Sequence, residues 1–424
     1  MKIICRAILR TFLITVPVIF SSAWTLACAQ TKPVAALHLM TYQSWGFTVD
    51  SSAQGERVRS ILNSAKELGF KSVILNFRAH MITGVSSDIR PVVPAKEQAM
   101  EEKLVLQTVD YAKSLGLSVS FRPILLVVGP KGEFPYVEKK NIYWWHGNIQ
   151  PKNPDAWFAS YYKYHERYLK LAAKAGAEMY SIGAEMNSMT SGLGDREPAW
   201  RLGYPAKWVD MIRKAREILG PKTKITYGIN YTDQYVQVGG QKIVGGEIEQ
   251  WKFYLTENFE KPLNQKHQKD LQALWRSLDV IGFDYYRALA SSHEKFSNDY
   301  SMLLRQLEAR PQSHASQLDT VLTEIALTLG EEKPGYMQEV GYASVENCFL
   351  EPAAYESSKG KLNLAHQAAA WESFLKAFWE PQWPWMSGFG MWQVLVDQDT
   401  NENDKGFTPL HKKSMHDVLK KYLN

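Results

Sequence analysis

Two glutamates of the sequence each follow a short apolar segment. Glu185 comes after the segment 179–183, and Glu324 comes directly after 321–323. A pair of carboxylates suits the cleavage of a glycosidic bond, because one can protonate the leaving oxygen while the other attacks or stabilises the developing positive carbon. A lone glutamate in such a place is often only a helix cap or half of a surface ion pair. The catalytic interpretation therefore requires that both glutamates end strands of one fold.

From residue 36 onward, segments of strand length alternate with longer segments of helical period, which is typical of βα units around a parallel sheet. Eight units predict an α/β fold, a (β/α)8 TIM barrel. The expected strands are 37–42, 72–77, 118–126, 178–183, 224–228, 280–284, 321–323 and 387–394. Barrel enzymes carry their chemistry at the C-terminal ends of the strands. Glu185 and Glu324 are therefore expected at the mouths of strands four and seven.

The chain is longer than the usual barrel of about 250 residues, so the surplus is expected in long βα loops. These loops are expected at 128–153, 231–272 and 329–362. No repeat, low-complexity tract or Pro/Ser-rich linker divides the chain after residue 29. Residues 30–424 are therefore expected to form a single barrel domain.

The first 29 residues have the composition of an export signal. Three basic residues accompany the apolar run 11–20, and the small residues 27–29 follow it. We expect cleavage after Ala29 and an exported protein, extracellular or periplasmic. Lipidation at Cys28 is the alternative, although Thr25 stands where a lipobox usually has Leu. No stretch reaches eighteen apolar residues, so no membrane span is expected.

The composition restricts the classes of partner and cofactor. The 424 residues are 45% hydrophobic and 22% charged with a formal net charge of +5, which is globular and too weakly basic to favour nucleic acid. Cleavage after residue 29 would leave Cys348 as the one cysteine, so no internal disulfide is expected. The histidines form no H-x-H or H-E-x-x-H pair, and no P-loop, G-x-S-x-G or G-x-G-x-x-G motif occurs. We therefore expect neither a metal nor a cofactor.

Several segments, taken in order and spacing, resemble the retaining glycosidases of glycoside hydrolase family 113. They are WHGNI at 145–149, IGAEM at 182–186, ITYGIN at 225–230, LDVIGFDYY at 278–286, TEI at 323–325, GFGMW at 388–392 and GFTP at 406–409. The resemblance implies a (β/α)8 barrel with an acid/base glutamate on strand four and a nucleophilic glutamate on strand seven. It also implies β-1,4-mannan as the substrate.

Carried over by position, the resemblance implies roles for individual residues. Glu185 becomes the general acid/base and Glu324 the nucleophile, while Trp392 becomes the aromatic floor under the attacked sugar. Tyr286 and Asn230 would contact the same sugar or the nucleophile. The alternatives are that Tyr286 is ordinary barrel wall and that Trp392 belongs to the core.

Further candidates around the sugar have weaker support. Asp284 would bind a hydroxyl or orient a neighbouring side chain. Trp145 belongs to one of the resembling segments and, with the loop residues Trp45 and Trp144, is a candidate for outer sugar subsites.

Three departures from the family pattern affect the substrate pocket. His146, itself a candidate pocket residue, stands where the family more often has Arg. Ala184 stands where the wider clan has an Asn that binds the sugar 2-hydroxyl, and Asn187 is too far along the chain simply to replace it. The segment 75–78 lacks the expected aromatic residues, although Arg78 could support the nucleophile as a charge partner.

We therefore expect an exported, monomeric, retaining glycoside hydrolase that acts on a carbohydrate, by default β-1,4-mannan. Two alternatives stay open: an exo-acting glycosidase on short oligosaccharides, and a non-catalytic carbohydrate-binding protein on a degenerate barrel. The presence of two suitably placed glutamates argues against the second.

Overall fold

The computed structural model describes residues 32–134, 136–138, 142–193, 202–354 and 360–424. The expected signal segment 1–29, with Cys28 and Ala29, lies outside the described residues. Among the described residues, eight parallel strands form the barrel: β1 (Val34–Met40), β2 (Ser72–Met81), β3 (Ser118–Val127), β4 (Met179–Ala184), β5 (Lys224–Thr232), β6 (Val280–Tyr286), β7 (Gly335–Val340) and β8 (Met386–Leu395). The two-residue strand Arg90–Pro91 pairs antiparallel with β2 and is the ninth strand of the sheet. Each barrel strand pairs with its neighbours in the chain, and β8 pairs with β1, so the sheet closes. The expected (β/α)8 barrel is confirmed.

Helices cover the outside of this barrel. They are α1 (Ala53–Glu67), α2 (Gln98–Ser114), α3 (Pro154–Ala175), α4 (Pro205–Leu219), α5 (Glu247–Thr256), α6 (Pro262–Ser277), α7 (Tyr300–Leu329), α8 (Leu364–Phe374) and α9 (Lys413–Leu423). A π-helix, Leu375–Trp379, continues α8. In the described part of the chain, none of the helices has the length and apolarity that a membrane crossing requires.

Helix α3 illustrates how local sequence sets an element and how the element then supports the barrel. The side chain of Asn153 accepts a hydrogen bond from Ala156 N and begins the helix, and Gly176 ends it in the left-handed conformation. The aromatic residues of α3 recur every three or four positions and lie buried on one face. Tyr161 and Tyr164 donate hydrogen bonds to the carbonyls of Ile182 and Phe77, which ties the helix to β4 and β2.

Strand seven differs from the prediction. The segment 321–323 is not a strand but part of α7, in which Leu318, Val321, Leu322 and Ile325 are buried at helical spacing. A segment of three residues, here Val-Leu-Thr, is too short to distinguish a strand from one turn of a buried helix. The strand that pairs with β6 and β8 is β7, which lies inside the expected loop 329–362.

The long βα connections carry structure of their own. The expected loop 128–153 contains the antiparallel strand pair Tyr136–Glu138 and Ile142–Trp144 and a short 3-10 helix, His146–Asn148. The expected loop 231–272 is not one loop, because it contains the hairpin Tyr235–Val238/Gln241–Val244, all of α5 and most of α6. After β7, the connection that faces the mouth of the barrel begins at residue 341.

Candidate active site

A cavity of about 380 Å³ lies among the C-terminal portions of the strands and the loops that follow them. Strand register sets the level of the polar side chains around it and beneath it. Asn230 on β5 aligns with Asp284 on β6, and Asp284 aligns with Glu339 on β7. Side chains at one level of neighbouring parallel strands lie close together, so the register collects these three residues at one side of the barrel.

Glu185 follows β4 directly and faces the cavity. Its backbone has φ of 51°, which is left-handed and uncommon for a residue with a side chain. Its Oε1 accepts a hydrogen bond from Asn230 Nδ2 (2.7 Å), and its Oε2 lies 3.2 Å from His146 Nε2. The structure thus places two predicted site residues, Asn230 and His146, next to the carboxyl group of a third, Glu185. Asn230 contacts the expected acid/base rather than the opposite carboxylate.

A second carboxyl group, Glu339, faces the same cavity from β7 and is only 7% exposed. Its Oε2 accepts a hydrogen bond from Tyr286 Oη (2.7 Å), and its Oε1 forms an ion pair with Arg122. Burial raises the pKa of the Glu339 carboxyl, and the Arg122 guanidinium opposes that rise. Tyr286, expected to contact the sugar or the nucleophile, contacts this group.

Glu324 does not lie in the cavity, and its expected position at the mouth of strand seven is wrong. It projects from α7 with its side chain 45% exposed, and Lys252 Nζ of α5 lies 2.6 Å from its Oε2. The physical reason is that α7 continues through the segment expected to be strand seven. Glu339 occupies the position that Glu324 was expected to hold. The sequence signal for Glu339 is weak: within β7 only Tyr336 and Met337 precede Gln338 as apolar residues, and the turn residues Pro334 and Gly341 bound the strand.

Arg122, on β3, is the cationic centre of the site and was not predicted. Besides Glu339, its guanidinium approaches Asp284 Oδ2 (3.4 Å) and donates to Asn76 Oδ1 (3.3 Å). Burial alone would lower the pKa of Arg122, but Glu339, Asp284 and Glu185 together raise it. A single Arg inside a strand segment with no other charged residue was the available signal.

Arg78 does not have the role of charge partner that was expected for it. Its Nε donates to the Thr41 carbonyl (2.8 Å), and its guanidinium lies 4.4 Å from the centre of the Tyr42 ring. Residues 76 and 78 share a face of β2, so Arg78 lies one layer nearer the rim than Asn76, which contacts Arg122. Arg122 holds the position next to the strand-seven carboxylate instead.

Asp284 is fully buried and does not line the cavity. Burial and then the neighbouring Glu339 raise its pKa well above the usual value. Two roles were expected for Asp284: to bind a sugar hydroxyl or to orient a neighbouring side chain. Its contact with Arg122 supports the second role.

The aromatic candidates divide between cavity and core. Trp392 lines the cavity; its ring centre lies 5.2 Å from that of His38, in an edge-to-face arrangement, and 5.6 Å from the Arg122 guanidinium. The peptide bond between Trp392 and Gln393 is cis. Trp145 also lines the cavity, whereas Trp144 is buried and donates to Glu138 Oε2 (2.6 Å). Trp45 is exposed but lies outside the cavity.

No curated protein matches this chain in sequence. The profile of Glycoside Hydrolase Family 113, however, matches residues 41–231 and 251–412. The chain belongs to this family. It is therefore a glycoside hydrolase by descent, and the cavity with its two carboxyl groups is its candidate active site. In the described part of the molecule, no cluster of three or more His, Cys, Asp or Glu side chains could hold a metal ion.

Solved structures share the fold across nearly the whole chain. A GH113 β-1,4-mannanase is 20% identical with a TM-score of 0.58, and the match covers 92% of this chain and 99% of that chain. The GH113 β-mannanase AaManA from Alicyclobacillus acidocaldarius, in complex with ManMIm, is 19% identical with a TM-score of 0.59, covering 92% and 97%. GH5_18 from Streptomyces cattleya, in complex with Manβ1-4GlcNAc, is 14% identical with a TM-score of 0.50, covering 92% and 80%. At these identities the likeness shows the fold.

Proposed function

We propose that this protein is a retaining glycoside hydrolase that cleaves β-1,4-linked mannan chains, with Glu339 as the nucleophile and Glu185 as the general acid/base. The observation that carries the proposal is that two carboxyl groups share one cavity but have different partners. Glu339 pairs with the Arg122 cation and the Tyr286 hydroxyl, whereas Glu185 is contacted by Asn230 and His146.

The surroundings of Glu339 suit a nucleophile. A carboxylate must be ionised to attack, and a guanidinium and a phenol that both donate to it favour the ionised form. In the first step a Glu339 oxygen would form a bond to the anomeric carbon while the bond from that carbon to the leaving oxygen breaks. Arg122 at Oε1 and Tyr286 at Oε2 would each hold one oxygen of Glu339 and keep the attacking carboxyl in place.

Glu185 suits the exchange of protons. In the first step its carboxylic acid would donate a proton to the leaving oxygen, so that the leaving sugar departs as a neutral alcohol. In the second step the Glu185 carboxylate would take a proton from water, and the resulting hydroxide would attack the anomeric carbon of the glycosyl ester. Glu339 is then released as a carboxylate and Glu185 is again an acid, so the cycle closes with two inversions and net retention.

The choice of mannan rests on the family relatives, because the fold neighbours named above include two GH113 β-mannanases. Trp392 supports a sugar substrate in general, since an indole that lines a cavity can stack on the apolar face of a pyranose.

The test uses β-1,4-mannohexaose, with cellohexaose and xylohexaose as matched controls. We expect mid-chain products from mannohexaose and little turnover of the other two. Proton NMR of the first product should show the β-anomer, which mutarotates later. Initial formation of the α-anomer would contradict retention, and release of single sugars alone would favour the exo-acting alternative. Retained binding without any cleavage would favour the carbohydrate-binding alternative.

A further inference from the structure

A third carboxyl group lies behind the site and has no part in the chemistry described above. Glu247 begins α5 and is fully buried. Its Oε1 accepts hydrogen bonds from Thr190 Oγ1 (2.7 Å) and Trp251 Nε1 (2.9 Å). Its Oε2 accepts one from the backbone N–H of Asn230 (3.3 Å). A buried carboxylate is costly unless such donors surround it, so its presence requires an explanation.

The contacts of Glu247 lead to Glu185 along two routes. The first runs through the turn that follows Glu185: with its side-chain amide oriented so that its nitrogen faces the surrounding acceptors, Asn187 Nδ2 donates both to Glu247 Oε2 (3.1 Å) and to the Glu185 carbonyl (3.0 Å). The second runs through Asn230, whose backbone donates to Glu247 while its side chain donates to Glu185 Oε1. One buried carboxyl group thus holds both the backbone that carries Glu185 and the amide that touches its side chain.

This support matters because the Glu185 backbone is strained. A non-glycine residue with φ of 51° persists only where its surroundings fix it. Tyr227 Oη accepts a hydrogen bond from Met186 N (2.7 Å) and adds to the same restraint. Relaxation of the turn would swing the Glu185 carboxyl away from the bond it must protonate.

Four donors converge on the two oxygens of Glu247, which fits an acceptor-only group. An amide at this position would turn its own N–H toward at least one of those donors. Burial raises the pKa of Glu247 to about 7, the Thr190 and Trp251 hydrogen bonds oppose that rise, and the nearby Glu185 adds to it.

We propose that Glu247 is a positioning residue for the acid/base Glu185, fixing the turn after β4 and the Asn230 amide so that the Glu185 carboxyl meets the leaving oxygen. This role rests on the proposed function and predicts a specific defect. Loss of Glu247 should impair protonation of the leaving group while sparing the attack by Glu339.

The defect can be measured as the dependence of kcat/KM on the leaving group of the substrate. Aryl β-mannobiosides would be compared, with phenol as a leaving group that needs a proton and 2,4-dinitrophenol as one that does not. Glu247→Gln should lower kcat/KM for the phenyl substrate by about 100-fold, within the usual contribution of general acid catalysis, and for the dinitrophenyl substrate by less than about 5-fold. Glu249→Gln, on the same helix but outside the network, is the matched control and should leave both values unchanged.

An equal loss on both substrates, or no loss on either, would overturn the role of Glu247. If Glu247→Gln does not fold by circular dichroism, Asn187→Ala decides, because it removes only the first route. It should lower kcat/KM for the phenyl substrate about 10-fold more than for the dinitrophenyl substrate, and an equal effect on both would overturn the proposal. A wild-type enzyme that cleaves none of these mannosides would overturn the proposed function itself. If the wild type is active but the variant loses equally on the two leaving groups, or loses on neither, only the positioning role is overturned.

Discussion

At the scale of single residues, the chemistry of a glutamate is decided by what surrounds its carboxyl group. Glu339 is buried against a guanidinium and a phenol, whereas Glu324 reaches solvent from a helix and meets one lysine. The first environment holds a carboxyl group in place at a cavity. The second is a partly exposed ion pair on the surface, a type that contributes little to stability.

These two glutamates form a matched pair for mutation. Glu339→Gln should lower kcat on mannan oligosaccharides by about 10⁴-fold or more, because the nucleophile is lost while the shape is kept. Glu324→Gln should retain wild-type kcat and KM. Steady-state kinetics on both purified variants, with circular dichroism to show that each is folded, checks the prediction. An inactive Glu324→Gln beside an active Glu339→Gln would reverse the assignment.

The same scale shows why some site residues were predictable and others were not. Glu185 could be recognised because it follows the short apolar segment 179–183, which the structure shows as the buried strand β4. Arg122 and Glu247 act through contacts with residues distant in the chain. Periodicity assigns each of them to an element but does not say which side chains meet inside the barrel.

At the scale of elements, the error at strand seven follows from local ambiguity. Helix α7 runs for 30 residues from the Asp299 cap to Gly330, and β7 that follows has only six. Inside so long a helix, the segment 321–323 is apolar enough to resemble a strand, although its neighbours Leu318 and Ile325 continue a helical stripe. The other strands were easier to assign from sequence, because turn residues or helix-capping residues mark where each of them ends.

Helix α3 supplies an element-scale prediction that concerns pH. His165 of α3 is fully buried, with Nδ1 2.9 Å from Tyr180 Oη of β4, and burial lowers its pKa to about 3. The unfolded chain binds a proton on this residue near pH 6.5, whereas the folded chain does not. The stability contributed by neutral His165 is therefore complete above pH 6.5 and is lost as the pH falls toward 3, by about 1.4 kcal/mol per pH unit.

His165→Gln removes this titration and isolates it from the other buried groups. Urea unfolding at pH 7.5 and pH 5.0 measures the free energy of unfolding of both proteins. The advantage of the wild type over the variant should shrink by roughly 2 kcal/mol at the lower pH. An advantage that is the same at both pH values would mean that the folded protein protonates His165 as readily as the unfolded chain.

At the scale of the whole molecule, the barrel strands and the loops contribute different residues to the site. Strands β3, β5, β6 and β7 provide a fixed frame in which register sets the level of each polar side chain. The loops add what the frame lacks: His146 comes from the connection after β3, and Glu247 from the connection after β5. Substrate selection is expected to vary with these loops, because changing them leaves the frame intact.

Export is a further proposal at this scale, and it rests on the sequence. Strand β1 begins at Val34, so cleavage after Ala29 would leave the first strand of the barrel whole. Cleavage would also lower the formal net charge from +5 to +2 and leave the buried Cys348 as the one cysteine. A fold of this kind needs no disulfide, so a chain that starts at Gln30 should fold in a reducing cytosol and unfold at the same temperature as the secreted protein.

N-terminal sequencing and intact mass of the protein from its native host test this proposal. We expect a chain that begins at Gln30, because the small residues before that position suit a signal peptidase. A blocked N-terminus at Cys28 with the added mass of acyl chains would instead identify a lipoprotein, and Cys28→Ala should then release the protein from the membrane fraction. Recovery of the chain from the cytosol with Met1 in place would contradict both routes. The barrel would then act on oligosaccharides that had already entered the cell, because its cavity would never meet an external polymer.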